Sequence, residues 1–212
     1  SKLRVYSDDL GTLGGIASYA YAIGDAGHVA GYAWNETSYR AFVYTLEEGM
    51  VDLGTFGGAT SRAWDVNAFG VVVGTAQDAA GINRAFRWTE KTGMVPLPMP
   101  PGATGSSAEL INDAGVITGS WTDGATGLGG TFRWSESDGI EVIEDGEFAG
   151  FGPLGMNEAG DIASAVFDPG TYETIAYVDT MEYGHVRLTA DTVVGLDWTI
   201  MQATDINDAG TI

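Results

Sequence analysis

Asp65-x-Asn67-x-x-Gly70 and Asp205-x-Asn207-Asp208-x-Gly210 each place carboxylate and carboxamide oxygens on a short turn. Such oxygens suit a hard cation, and calcium is the only cofactor this pattern allows. Both segments lack the downstream bidentate Glu of a calcium loop, so Asp65, Asn67, Asp205 and Asn207 read first as hairpin turns and second as metal ligands. The two histidines, His28 and His185, stand in unrelated positions without a neighbouring His or Cys, which argues against zinc. Tyr21, Trp34, Trp64 and Trp121 lie beside Asp, Asn and Ser, and aromatic faces with adjacent hydrogen-bonding groups are the means of sugar recognition. These four are the candidate ligand-binding residues. Tyr21, Trp64, Glu109 and Thr204 share one position whose identity varies freely, as a site facing solvent or ligand would. A carboxylate pair for glycoside hydrolysis is the competing chemistry, and it would be sought among Asp145, Glu147, Asp161, Asp168, Asp191 and Asp197.

What must position these residues is a repeat. Ile111 to Gly115 and Ile206 to Gly210 are both Ile-Asn-Asp-Ala-Gly, with variants ending at Gly27, Gly70 and Gly160. The closing residues Gly27, Gly70, Gly115, Gly160 and Gly210 are spaced 43, 45, 45 and 50 residues apart. They read as structural turn residues, because the last position of the Asn-x-x-Gly turn requires positive φ, which Gly adopts without a Cβ penalty. Each unit alternates apolar and polar residues four times between turn signals, which predicts four short strands. Phe42, Phe86 and Phe132 share one slot and Trp88 and Trp134 another, as core residues packed between neighbouring sheets would.

Four strands per 43 to 50 residues is the blade arithmetic of a β-propeller, with a solenoid as the competitor. The expected fold is therefore all-β, a single domain over 1–212 with repeats near 8–50, 51–94, 95–140 and 141–188. A fifth unit is built from 189–212 plus 1–7. That last blade is shared between the termini or incomplete, since Leu3 to Tyr6 match a fourth strand and Thr211 and Ile212 end in mid-strand. The C-terminal edge would then accept a strand-completing partner chain.

Composition narrows the function. The 212 residues carry 29 acidic and 9 basic side chains, a net charge of -20, with 32 Gly and no Cys. An acidic surface repels nucleic acid, and the lack of Cys removes disulfides, thiolate sites and a thiol nucleophile. No apolar run reaches the roughly 18 residues of a membrane-spanning helix, so membrane insertion is not expected. Leu-Gly-Thr-Leu-Gly-Gly lacks the Lys and helix start of a phosphate loop and reads as a connection between blades.

Asp9 to Gly15 with Ser18 and Ala20, repeated as Asp52 to Gly58 with Ser61 and Ala63, is followed each time by the turn, a Val-x-Gly strand and an Ala-Phe strand. This order resembles the HAF family of extracellular repeat proteins over nearly the whole chain. Arg40 and Arg84 stand where that family has its His. The resemblance implies a propeller-like, secreted or surface-exposed protein without established catalytic activity. The expected function is a non-catalytic extracellular or cell-surface binding or assembly module, with a protein or a glycan at the cell surface as partner. The alternatives are a lectin-like carbohydrate-binding propeller and a glycoside hydrolase.

Overall fold

The computed structural model describes residues 9–143, 149–168, 173–188 and 203–212. The expected strand at Leu3 to Tyr6 and the carboxylates Asp145, Glu147, Asp191 and Asp197 lie outside them.

Among the described residues the chain is all-β, with no helix, in four antiparallel sheets of four strands. The first sheet holds β1 (Ser18–Ile23), β2 (Val29–Trp34), β3 (Tyr39–Thr45) and β4 (Gly49–Asp52). The second holds β5 (Gly57–Val66), β6 (Val72–Asp78), β7 (Asn83–Thr89) and β8 (Gly93–Pro96). In the third are β9 (Gly105–Ile111), β10 (Ile117–Thr122), β11 (Gly129–Ser135) and β12 (Gly139–Val142). The fourth is β13 (Ala149–Met156), β14 (Ile162–Asp168), β15 (Glu173–Thr180) and β16 (Gly184–Arg187). Strand order follows chain order in every sheet. The first strand of each of the last three sheets packs against the middle strands of the sheet before it.

The repeated Gly and Phe explain how the strands pack. Gly31, Gly74 and Gly119 pair across the ladder with Phe42, Phe86 and Phe132, all three of which are fully buried. A Cβ on Gly119 would overlap the Ser107 carbonyl oxygen and touch the Phe132 ring. The ring therefore lies on bare backbone, and the adjacent strand closes over the same residue. Val66, Val72 and Phe86 pack with Ala30, Val43 and Leu53 between the first two sheets. Val73 and Leu97 pack with Ile111, Ile117 and Phe132 between the next two. Ala203 and Ile206 pack on the fourth sheet with Val178 and Leu188. Beyond them, Thr211 and Ile212 are not in a strand.

The Asn-x-x-Gly turns also join the repeats. Gly27, Gly70, Gly115, Gly160 and Gly210 all have φ between 73° and 86°. Within a turn, the Asn67 Oδ1 accepts from the N–H of Phe69 at 3.1 Å and of Val71 at 3.0 Å. Its Nδ2 donates to the Asn112 carbonyl, that of Asn112 to the Asn157 carbonyl, and that of Asn157 to the Asn207 carbonyl, each at 3.1 Å. The following residue makes a second link: the N–H of Ala68 donates to Asp113, that of Asp113 to Glu158 and that of Glu158 to Asp208. Asn67, Asn112 and Asn157 are buried, whereas Asn207, the last acceptor, is exposed.

Candidate functional site

Each sheet's first strand carries a β-bulge just before the turn. The register slips between Ala20 and Ala22, between Ala63 and Asp65, and between Ala108 and Leu110, leaving Tyr21, Trp64 and Glu109 as the extra residues. An inserted residue bends its strand and re-aims its side chain. This is why the shared position varies freely: no ladder partner constrains it. Thr204, the fourth residue of that set, is exposed.

Beside these bulges a groove of about 550 Å³ runs across the first three sheets, lined by Tyr39, Arg62, Trp64, Thr75, Ser107 and Trp121 among others. Trp64 donates from Nε1 to Thr75 Oγ1 at 3.2 Å, and Thr75 Oγ1 meets Ser107 Oγ at 2.6 Å. Tyr21 stands edge-on to Trp64 with 5.0 Å between ring centroids, and Trp34 edge-on to Tyr39 at 5.6 Å. Of the four sequence-derived aromatics, Trp64 and Trp121 line this groove, whereas Tyr21 and Trp34 only contact its lining residues Trp64 and Tyr39.

Trp121 differs from its expectation as an exposed aromatic. It is 7% exposed and belongs to the core between the second and third sheets. Trp34 stands three residues after Gly31 and Trp121 two after Gly119, and in a strand one residue moves a side chain to the opposite face. Its indole Nε1 is buried without a hydrogen-bond partner.

Two groove residues escaped the sequence reading. Tyr39 sits directly across the ladder from Trp34, and Arg62 across from Thr75. Only the register reveals either. The Arg62 guanidinium lies 4.5 Å from the Tyr39 ring centroid, 5.1 Å from that of Tyr32 and 5.8 Å from that of Trp64. Tyr32 stacks on Tyr19 with 4.9 Å between centroids, and its phenol pKa is raised, first by burial and then by a hydrogen bond with Tyr21.

Glu109 accepts from Ser120 Oγ at 2.7 Å. Burial pushes its carboxyl up to about 7, against the opposing hydrogen bonds from Ser120 and Ser107. At neutral pH it is near half protonation.

The candidate metal ligands are committed elsewhere. Asp65 accepts from the N–H of Val66 at 2.8 Å and, from the next repeat, that of Ile111 at 2.9 Å. Burial raises its pKa, and these two bonds oppose the rise. Asp205 accepts from the N–H of Ile206, and the Asn207 Oδ1 from those of Ala209 and Thr211. Among the described residues no three His, Asp or Glu side chains gather as a metal site. His28 lies over Gly70, whereas His185 stacks on Tyr177 with 4.2 Å between centroids and reaches Asp179 at 3.7 Å.

The two Leu-Gly-Thr-Leu-Gly-Gly-like segments share one network of local hydrogen bonds. Asp9 and Asp52 accept from the N–H of Gly11 and Gly54, while Thr12 and Thr55 accept from those of Gly14 and Gly57. The amides that would cradle a phosphate are thereby occupied. No helix of the described residues is long and apolar enough to cross a membrane.

No family model and no curated protein matches the chain. A structural similarity is found to the crystal structure of a triple arginine-to-alanine mutant of AofleA from Arthrobotrys oligospora, with 17% identity and a TM-score of 0.45 over 94% of this chain. The chain spans 64% of the length of that structure.

Proposed function

We propose that the chain is a non-catalytic binding module whose ligand is a saccharide held in the groove across the first three sheets. The observation that carries this reading is the lining itself: aromatic faces from Tyr39 and Trp64 stand beside the hydroxyls of Thr75, Ser107 and Ser120. Sugars offer apolar C–H faces for stacking and a rim of hydroxyls for directional hydrogen bonds, and this groove is complementary to both. The unpartnered Trp121 Nε1 adds a buried donor for a ligand acceptor. A hydrolase would need two carboxylates about 5 to 9.5 Å apart at the scissile bond, whereas rings and hydroxyls predominate here.

In this reading the four sheets are blades of a β-propeller of the HAF type, displayed outside the cell. The chain-order packing of each first strand onto the preceding sheet supports that arrangement. A glycan array followed by calorimetry tests the function. Trp64→Ala is expected to weaken saccharide binding at least about tenfold, since stacking and the Thr75 contact go together. Turnover of chromogenic glycosides that a single carboxylate substitution abolishes would overturn the reading.

A further inference from the structure

The described arginines outside the groove each have a polar or charged partner in the protein. Arg84 pairs with Asp78 at 3.4 Å, Arg87 with Glu136 at 3.2 Å, and Arg133 with both Glu141 and Asp179. Arg40 donates from Nη1 to Thr55 Oγ1 at 3.2 Å, although its Nε, like that of Arg62, is buried without a partner. Arg187 also has a partner.

Arg62 is held in another way. Ring faces of Tyr32, Tyr39 and Trp64 surround its guanidinium, and its Nε is buried without an acceptor. No carboxylate among the described residues pairs with it, in a chain with 29 acidic and 9 basic side chains. Ring faces fix the plane of a guanidinium and partly desolvate it, but they satisfy none of its five N–H donors. A second buried donor, the Trp121 Nε1, lines the same groove with its own bond unmade. Two such donors in one cleft fit an acceptor that the ligand brings.

Resting on the saccharide reading above, we infer that the groove is specific for acidic saccharides and that Arg62 receives the carboxylate of a hexuronic acid residue. A planar carboxylate meets the guanidinium fork with two parallel hydrogen bonds, while the hydroxyls of Thr75, Ser107 and Ser120 line the groove for those of the same sugar. The chain's net charge of -20 repels a phosphate dianion more than a single carboxylate, and the contact with Arg62 has to offset that repulsion.

The test uses trisaccharides of galacturonate, glucuronate and mannuronate, each beside its methyl ester, at constant ionic strength. Binding is read from the indole N–H resonances of Trp64 and Trp121. At least one free acid is expected to shift both and to bind about tenfold or more tightly than its ester, with Arg62→Gln abolishing the difference and Arg62→Lys retaining part of it. Indole resonances remote from the groove report whether the variants stay folded, and the acid-to-ester ratio on the unaltered protein decides even if they do not. Esters binding as well as acids would overturn the inference while leaving the saccharide reading in place. A preference for sulfated over uronic sugars would overturn it in the same way. If no saccharide on the array, neutral or charged, shifts either indole, both fall.

Discussion

Asn67 donates from its side-chain Nδ2 to the main-chain carbonyl of Asn112 at 3.1 Å, although the two residues are 45 positions apart. The same Asn organises its own turn through Oδ1. One carboxamide therefore does two jobs, and Asp could perform only the second. In Asn112→Asp the acceptor for Val116 N–H survives, while the donor to the carbonyls of Asn157 and Glu158 is lost. We expect a cost of about 1–3 kcal/mol for the unpaired buried carbonyls. At the exposed end of the ladder, Asn207→Asp should cost less than about 0.5 kcal/mol. Chemical denaturation measures both, and equal losses would show that the links between repeats contribute nothing.

Two glycines in one repeat should respond differently to a methyl group. Gly115 has φ of +80° with open space around it, so Gly115→Ala meets only the left-handed backbone penalty of about 1–2 kcal/mol. Gly119 faces the Ser107 carbonyl and the Phe132 ring, and Gly119→Ala should cost about 3 kcal/mol, because backbone cannot yield as a flexible side chain does. Thermal unfolding of the pair ranks them. The reverse order would refute the close-approach argument.

Arg133 bridges the third and fourth sheets, donating to the Gly160 carbonyl and pairing with Glu141 and Asp179. Burial would raise the Asp179 pKa, but hydrogen bonds from His185 and Arg133 and their charges outweigh it and hold the carboxyl below its usual range. A depressed carboxylate stabilises the fold above its unfolded pKa of about 4 and ceases to do so as pH falls through the folded value. Removing the cation in Arg133→Ala leaves a buried carboxylate and should cost about 3–5 kcal/mol at pH 7. The deficit should shrink on acidification, as Asp179 then takes up a proton. A pH-independent deficit in urea titrations would argue against the pair.

Glu109 has the opposite sign. Its pKa rises from 4.5 to about 7 on folding, so the fold is penalised as the unfolded chain ionises first. The penalty is absent below about pH 4, grows between the two values and is complete above about pH 7. Glu109→Gln keeps an acceptor for Ser120 and should stabilise by roughly 1–3 kcal/mol at pH 8, with no gain at pH 4. Melting temperatures across that range provide the check, and a gain of equal size at both ends would point to a cause other than titration.

The sequence alone determined the elements and their punctuation. A turn such as Asn67 to Gly70 needs positive φ at its last residue and an oxygen at its first, and both requirements are local, so residue types and spacing reveal them. The alternation around Phe86 and its recurrence at Phe42 and Phe132 marked the buried face for the same reason. Tertiary structure decided what those elements do to one another. Asp65 looked like a cation ligand because its partner, the N–H of Ile111, stands 46 residues away in the chain and beside it only after the sheets pack. The bulges at Tyr21, Trp64 and Glu109 become visible only when the neighbouring strand lacks a counterpart. Trp121 entered the core, and Arg62 came to lie among three aromatic rings, through a one-residue offset and a cross-strand register that a linear repeat does not encode. Periodicity specifies which face a side chain takes within its own strand, whereas the groove is made by faces of different sheets meeting, and that meeting is a property of the packed whole.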